Sequence, residues 1–262
     1  MAEPNATSMA PGARRDALRI PCPGFLRGHA LPIVVALAGL AAFLPAASKA
    51  IPVQLVSAKR YYTLSLAGPA APGQESRPYV RYQAEWRLVN KGSGSSFEIE
   101  NDELAYLPYL EYRAWVDGVP LPVQKIGNRY FFRIYLRRRQ TATVQVSSLQ
   151  RVLPIDPARK IDEFEDLIEW RGWMPPIEDY WVVVDLGGIY TAYRQQVPAF
   201  GLGGNGPAPG LSFPQFLANR IVQISPGGYQ QGAGNKIWWH EQNVWKPQEY
   251  FTLRVRWQAW YR

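Results

Sequence analysis

The chain predicts a mostly β protein. An immunoglobulin-like antiparallel sandwich over 51–153 is followed by a second β-rich unit over 154–262 with one short helix near 157–169. Three observations carry this. Apolar residues alternate with polar ones at period two through most of the chain, as in half-buried strands. Turn signals separate these runs every ten residues or so, the spacing of a sandwich. Helical spacing is confined to one stretch.

The first fifty residues stand apart. Gly28 to Ser48 holds no Asp, Glu, Lys or Arg; Arg14, Arg15, Arg19 and Arg27 precede it and Ser48-Lys49-Ala50 follows. A basic n-region, an apolar h-region and a small-x-small exit make a secretory signal peptide. Cleavage after Ala50 is the expectation. Besides a buried core helix, the alternative is a retained N-terminal anchor, because the whole charge-free run is just long enough to span a bilayer. Cleavage and anchor both place the domain outside the cytoplasm, periplasmic, cell-envelope or extracellular, since the positive charge precedes the apolar run. Met9 is a second candidate start, and Arg14-Arg15 loosely resembles a twin-arginine signal. Cys22 precedes the apolar run and is not placed for lipid attachment.

The strands follow in order. Val53 to Leu66 supplies one or two before a Gly/Pro-rich loop at Gly68 to Gly73. Tyr79 to Asn90 is the cleanest: Val80, Tyr82, Ala84, Trp86 and Leu88 share one face, and Arg81, Gln83, Glu85 and Arg87 the other. A turn at Asn90 to Ser95 leads to Phe97 to Asn101. Glu111 to Val116 and Val119 to Gln124 flank Asp117-Gly118, a hairpin signal. Tyr130 to Leu136 and Thr141 to Ser147 flank Arg137-Arg138-Arg139-Gln140, read as a hairpin tip. In the second unit Asp156-Pro157 offers an N-cap and first helical residue, and Ile161, Phe164, Leu167 and Ile168 recur at helical spacing. Trp181 to Leu186 and Ile189 to Gln195 read as strands, Val197 to Leu211 as an exposed loop, and Arg220 to Ile224, Asn235 to His240 and Tyr250 to Tyr261 as closing strands.

Composition excludes several classes. No cysteine lies beyond Ala50, so the remainder has neither disulfides nor thiolate metal sites. His240 is its only histidine, which argues against zinc chemistry; no cofactor is expected. The chain carries +8, of which the first fifty residues supply +3 and the remainder +5. Export removes the protein from nucleic acid. A membrane enters only through the N-terminal segment if that is retained.

The order of features resembles a group of exported bacterial β-sandwich proteins of unknown function. Its carriers are "YVRYQAEWRLVN", "FFRIYLRRRQTATVQVSS", "WRGWMPPIEDYWVVVDL" and "ISPGGYQQGAGNKIWWHEQNVWKPQEYFTLRVRW". They span most of residues 79 to 262 as a pattern of strands and turns. The resemblance implies an envelope protein and transfers no site residue.

Four constellations bear on function. Asp162, Glu163, Glu165, Asp166 and Glu169 form an acidic cluster, read as a solvated helix face with cation binding or acid-base work as alternatives. Arg137, Arg138 and Arg139 are candidate contacts to an anionic surface, by bidentate hold on phosphate, against a reading as a solubilising turn. Trp238, Trp239, His240 and Trp245 are candidate ligand contacts. Adjacent tryptophans on a strand face opposite ways, so one packs inward while its neighbour is free to stack on a sugar beside Gln242 and Asn243. Gly201 to Gly206 has no strand-loop-helix context and no following Gly-Lys-Ser/Thr, so it is not a phosphate loop.

The sequence therefore names no reaction. It reads as a non-enzymatic interaction module whose partner is a protein or envelope surface. A carbohydrate-binding module using exposed tryptophans is one alternative. A hydrolase built from Glu165, Glu169 and His240 is another, which requires those side chains to converge.

Overall fold

The computed structural model describes residues 18–20, 52–67, 77–102, 109–169, 173–196, 211–245 and 250–260. The apolar run at Gly28 to Ser48 and the loops at Gly68 to Gly73 and Val197 to Gly210 lie outside them. The order is β1 (Leu18–Ile20), β2 (Val53–Ala67), β3 (Arg77–Asn90), β4 (Ser95–Asp102), β5 (Glu111–Val116), β6 (Val119–Leu121), β7 (Gln124–Ile126), β8 (Arg129–Leu136), β9 (Thr141–Arg151), β10 (Leu153–Asp156), β11 (Ile161–Glu169), β12 (Ile177–Asp185), α1 (Gly187–Gln196), α2 (Phe213–Arg220), β13 (Ile221–Ser225), β14 (Gln230–Gly232), β15 (Lys236–Val244) and β16 (Tyr250–Gln258).

The strands form three sheets. The largest has eight, in the order β14-β15-β12-β2-β3-β9-β5-β6. Its pairs are antiparallel except for β2 with β12, which is parallel. Two four-stranded sheets, β10-β11-β16-β13 and β1-β4-β8-β7, accompany it. The large sheet does not stop at residue 153, because β12, β15 and β14 extend it beyond β2. One buried cluster draws on all three sheets, with Val80, Trp86 and Val182 from the large sheet, Phe97 and Ile134 from β4 and β8, and Phe164, Val255 and Trp257 from β11 and β16.

Period-two patterning delivers β3 as expected: Val80, Tyr82, Ala84, Trp86 and Leu88 are buried and Arg81, Gln83, Glu85 and Arg87 exposed. The hairpin at Asp117-Gly118 forms with φ of 50° and 79°, the left-handed pair that a two-residue turn requires.

Three expectations change. No helix forms at 157–169. Residues 157–160 turn and 161–169 become β11, paired along its length with β16. Glu163 and Glu165 face the cations of Arg254 and Arg256 across that pairing, and Asp162, Phe164, Asp166 and Ile168 share the other face. Acids at two inward positions hide the strand's alternation, and cross-strand ion pairing overrides the helical spacing. Conversely, Ile189 to Gln195 is helical, within α1. Asp185 Oδ1 accepts the Gly187 N–H at 2.8 Å, satisfying a free donor at the helix start. Gly188 lets the backbone approach: an added Cβ would lie 2.5 Å from Leu64 O. Ser212 caps the start of α2, its N–H donating to Gln215 Oε1 at 2.8 Å. This Ser-x-x-Gln spacing with Pro214 was a legible start signal.

The third correction concerns Arg137 to Gln140. β8 and β9 do not pair with each other, so these residues are not a hairpin tip. They carry the chain from a four-stranded sheet to the large one. Asn90, fully buried, holds the crossing. Its backbone N–H donates to Gln140 O at 3.0 Å, and its carbonyl accepts the Arg139 N–H at 2.8 Å. Its side-chain amide donates to Ser93 O, Leu136 O and Arg137 O, and its Oδ1 accepts the Gly92 N–H.

Candidate functional site

Register places two sets of chemistry-bearing residues on opposite faces of the large sheet. Residues paired across strands point the same way, and alternate residues along a strand point oppositely. The outer face follows from the pairings His240 with Trp181, Trp181 with Lys59, Lys59 with Glu85, Glu85 with Gln145 and Gln145 with Trp115. These six residues make one row across six strands. The next row runs from Trp238 through Val183, Tyr61, Gln83 and Ser147 to Arg113.

One half of this face is a groove of about 490 Å³ lined by Lys59, Tyr61, Gln83, Glu85, Trp115 and Gln145, among others. Its lining holds one cation, Lys59, and one carboxylate, Glu85. Gln145 Nε2 donates to Glu85 Oε2 at 3.2 Å. Tyr61 donates to Asp185 Oδ2 at 3.2 Å, with Lys236 Nζ 5.3 Å from the Tyr61 ring centroid. A hydrogen bond with Tyr61 raises the Lys236 ammonium above its ordinary value.

The other half is an aromatic stack. The Trp181 and His240 rings lie 3.8 Å apart at 14°, and Trp238 is 5.1 Å from Trp181. Asp179 accepts from Trp181 Nε1 at 3.1 Å and meets His240 Nε2 at 2.7 Å. Trp238 and His240 thus belong to the outer face. Trp239 points inward, edge-on to Tyr229 at 6.0 Å, its Nε1 donating to Gly227 O at 3.2 Å. Trp245 is 66% exposed beyond the end of β15. The structure brings Trp238 and His240 together and separates them from Trp239. Trp115, Trp181, Lys59 and Glu85 were not legible as a site, because the cross-strand register that assembles them is not a local property of the chain.

The inner face carries a polar cluster. Arg60 Nη1 donates to the Tyr82 hydroxyl at 3.1 Å. The guanidinium carbon lies 6.0 Å and 5.9 Å from the Tyr82 and Trp86 ring centroids, within cation–π range. The Tyr62 hydroxyl donates to Asp166 on β11, linking the large sheet to the second one. Burial, then the Asp166 charge, holds the Tyr62 hydroxyl well above the ordinary phenol value, and burial pushes Tyr180 up likewise.

These shifts predict alkaline lability. An unfolded tyrosine ionises near pH 10, whereas Tyr62 and Tyr180 keep their protons in the folded state. The unfolded chain therefore releases protons first, and stability present below about pH 10 is lost above it. Lys236 acts in the same direction. Urea midpoints should fall between about pH 9 and pH 11, with a shallower fall in Tyr180→Phe. A flat profile refutes this.

The acidic cluster is divided between the two faces of β11. Glu165 is paired with Arg254 and Glu163 with Arg256, while Asp162 and Asp166 face inward. Among the described residues no group of three or more His, Cys, Asp or Glu side chains is arranged to hold a metal ion. No described helix is long and apolar enough to cross a membrane.

No family model and no curated protein matches the chain. Solved structures similar to it include a proposed nutrient binding protein from Legionella pneumophila, at 9% identity over 79% of this chain and 67% of that one, with a TM-score of 0.48. An M1 zinc metallopeptidase from Deinococcus radiodurans matches at 12% identity over 78% of this chain and 42% of that one, TM-score 0.32. Legionella pneumophila aminopeptidase A matches at 9% over 79% of this chain and 22% of that one, TM-score 0.37. The chain spans less than half the length of these two peptidases. Likeness at this level assigns neither an activity nor a site.

Proposed function

We propose that the chain is an exported, non-enzymatic binding module that holds a carbohydrate on the outer face of its large sheet. The observation that carries this is the groove beside Trp115. A sugar presents an apolar face and a rim of hydroxyls. The groove offers the Trp115 and Tyr61 rings and, between them, donors and acceptors in Lys59, Gln83, Glu85 and Gln145. A few convergent polar groups among aromatic side chains are the composition of a small-molecule site, and internal compensation of its charges suits a neutral ligand. The candidate contacts Trp238 and His240 lie on the same face; Trp245 is exposed near its edge.

A hydrolase reading finds no comparable support. His240 is engaged with Asp179 on the large sheet, and Glu165 with Arg254 on another.

The test is calorimetric titration of the protein with a panel of soluble glycans. Saturable binding is expected, and Trp115→Ala should weaken it at least about tenfold, the loss of roughly 1.4 kcal/mol. Heatless titrations across the panel, or affinity untouched by Trp115→Ala, would sink the proposal and return the protein to a surface-contact role.

A further inference from the structure

Lys91, Arg137, Arg138 and Arg139 are exposed, and the Asn90 crossing gathers them at one end of the large sheet. The Lys91 N–H donates to Pro52 O at 2.7 Å, the Arg139 N–H to Asn90 O at 2.8 Å, and the Asn90 side-chain amide to Arg137 O at 3.3 Å. Among the described residues no carboxylate pairs with any of the four. Among the described residues the acids at this end are Asp117, whose Oδ1 accepts the Thr143 N–H at 2.8 Å, and Glu178 at the start of β12. Four described cations against two described acids make the corner positive.

Pro52 is what gives this corner a partner. It sits in the corner by backbone contact, and only Lys49, Ala50 and Ile51 separate it from Ser48, the end of the charge-free run. Any form of the protein that keeps this run in a bilayer delivers the domain to the membrane by this end, with Lys49 adding a further positive charge. Basic side chains beside an apolar segment are attracted to anionic headgroups by about 1 kcal/mol each.

We propose that this corner lies against an anionic bilayer surface, with Arg137, Arg138, Arg139 and Lys91 on the phosphates. The contact is independent of the carbohydrate reading.

The test uses the full chain with Cys22→Ser, reconstituted in vesicles of phosphatidylcholine alone or mixed with phosphatidylglycerol. An environment-sensitive dye is placed at Ser93→Cys beside the corner, or at Thr191→Cys, an exposed position on α1 at the opposite end of β2. Quenching by a headgroup spin-labelled lipid reports proximity. The dye at position 93 should be quenched more strongly on the anionic vesicles than on the neutral ones. Replacing all four cations by glutamine should weaken the contact by more than roughly a hundredfold, at about fivefold per charge, and return quenching to the neutral-vesicle level. High salt should do the same, since screening shortens to about 3 Å at 1 M. The dye at position 191 should stay unquenched throughout. Quenching at position 93 that ignores both lipid charge and the four substitutions, in a variant whose thermal unfolding is unchanged, overturns the proposal. So does equal quenching at the two positions.

Discussion

Asn90→Ala should destabilise the protein by about 3 kcal/mol, a large part of the 5–15 kcal/mol that holds a typical domain together. The size follows from the number of groups left without partners. The side chain is fully buried and serves four backbone groups at once. The carbonyls of exposed Ser93 and Arg137 can turn to water. The Leu136 carbonyl lies beneath a fully buried side chain, and the Gly92 N–H is half-buried beside Pro52. Each buried group left unsatisfied costs about 1–3 kcal/mol, and the truncation leaves a small void besides. Asn90→Asp is the sharper variant. It keeps the shape and the acceptor for Gly92 but presents a carboxylate to carbonyls that need a donor, so it should cost at least as much as alanine. Urea unfolding measures both. Hydrogen exchange at Arg139 should rise too, because its N–H is held by the Asn90 carbonyl. A loss below about 1 kcal/mol for both variants would mean that the crossing is held by the sheets alone.

The second large effect is expected inside the inner cluster. Asp166→Ala should cost about 3 kcal/mol, because it leaves the buried Tyr62 hydroxyl without its acceptor and removes a negative charge that also acts on buried Arg60. The Arg60 Nε is already buried without a hydrogen-bond partner, and the guanidinium otherwise meets the Tyr82 hydroxyl and the Tyr82 and Trp86 rings. Replacing both charges, as Arg60→Met with Asp166→Leu, should restore most of the stability, because packed apolar groups avoid the desolvation that each ion suffers. A double variant no better than the sum of its parts would show that Arg60 and Asp166 are energetically separate.

These two residues also mark what was legible in the chain. Asn90 was read only as the start of a turn, since nothing local reveals that four backbone groups converge on it. The strands of the large sheet could be read because one face packs and the other is wetted, which writes period two into Tyr79 to Asn90 directly. β11 could not, because its inward positions hold Asp162 and Asp166 and its outward acids await arginines ninety residues away on β16. The α1 helix was obscured by Tyr190 and Tyr193, which also suit strands; its start depends on Asp185 and on a glycine beside Leu64. The candidate site was legible only at Trp238 and His240, where neighbouring residues announce themselves. Its other half is built by the antiparallel pairings of β2, β3, β9 and β5, and the parallel pairing of β2 with β12 joins it to that stack; no short-range pattern encodes either.

The pairing of Leu18–Ile20 with Phe97–Ile99 puts residues from before the charge-free run on the edge of the β4-β8-β7 sheet. Pro52 follows that run. A run that threads a bilayer holds residue 20 and residue 52 in different compartments, so β1 pairing and insertion exclude each other; removal of a leader after Ala50 takes β1 away as well. A chain with residues 18–20 paired to β4 and a chain without that pairing are then two different sheets. The first is closed at β4 by its own N-terminal segment. The second presents β4 as an open edge with its hydrogen-bonding groups unspent. Glu98 and Glu100 on that strand are buried and paired with Arg133 and Arg129, so wherever β1 is absent inward-pointing charge lies on β4 and restrains indiscriminate strand addition.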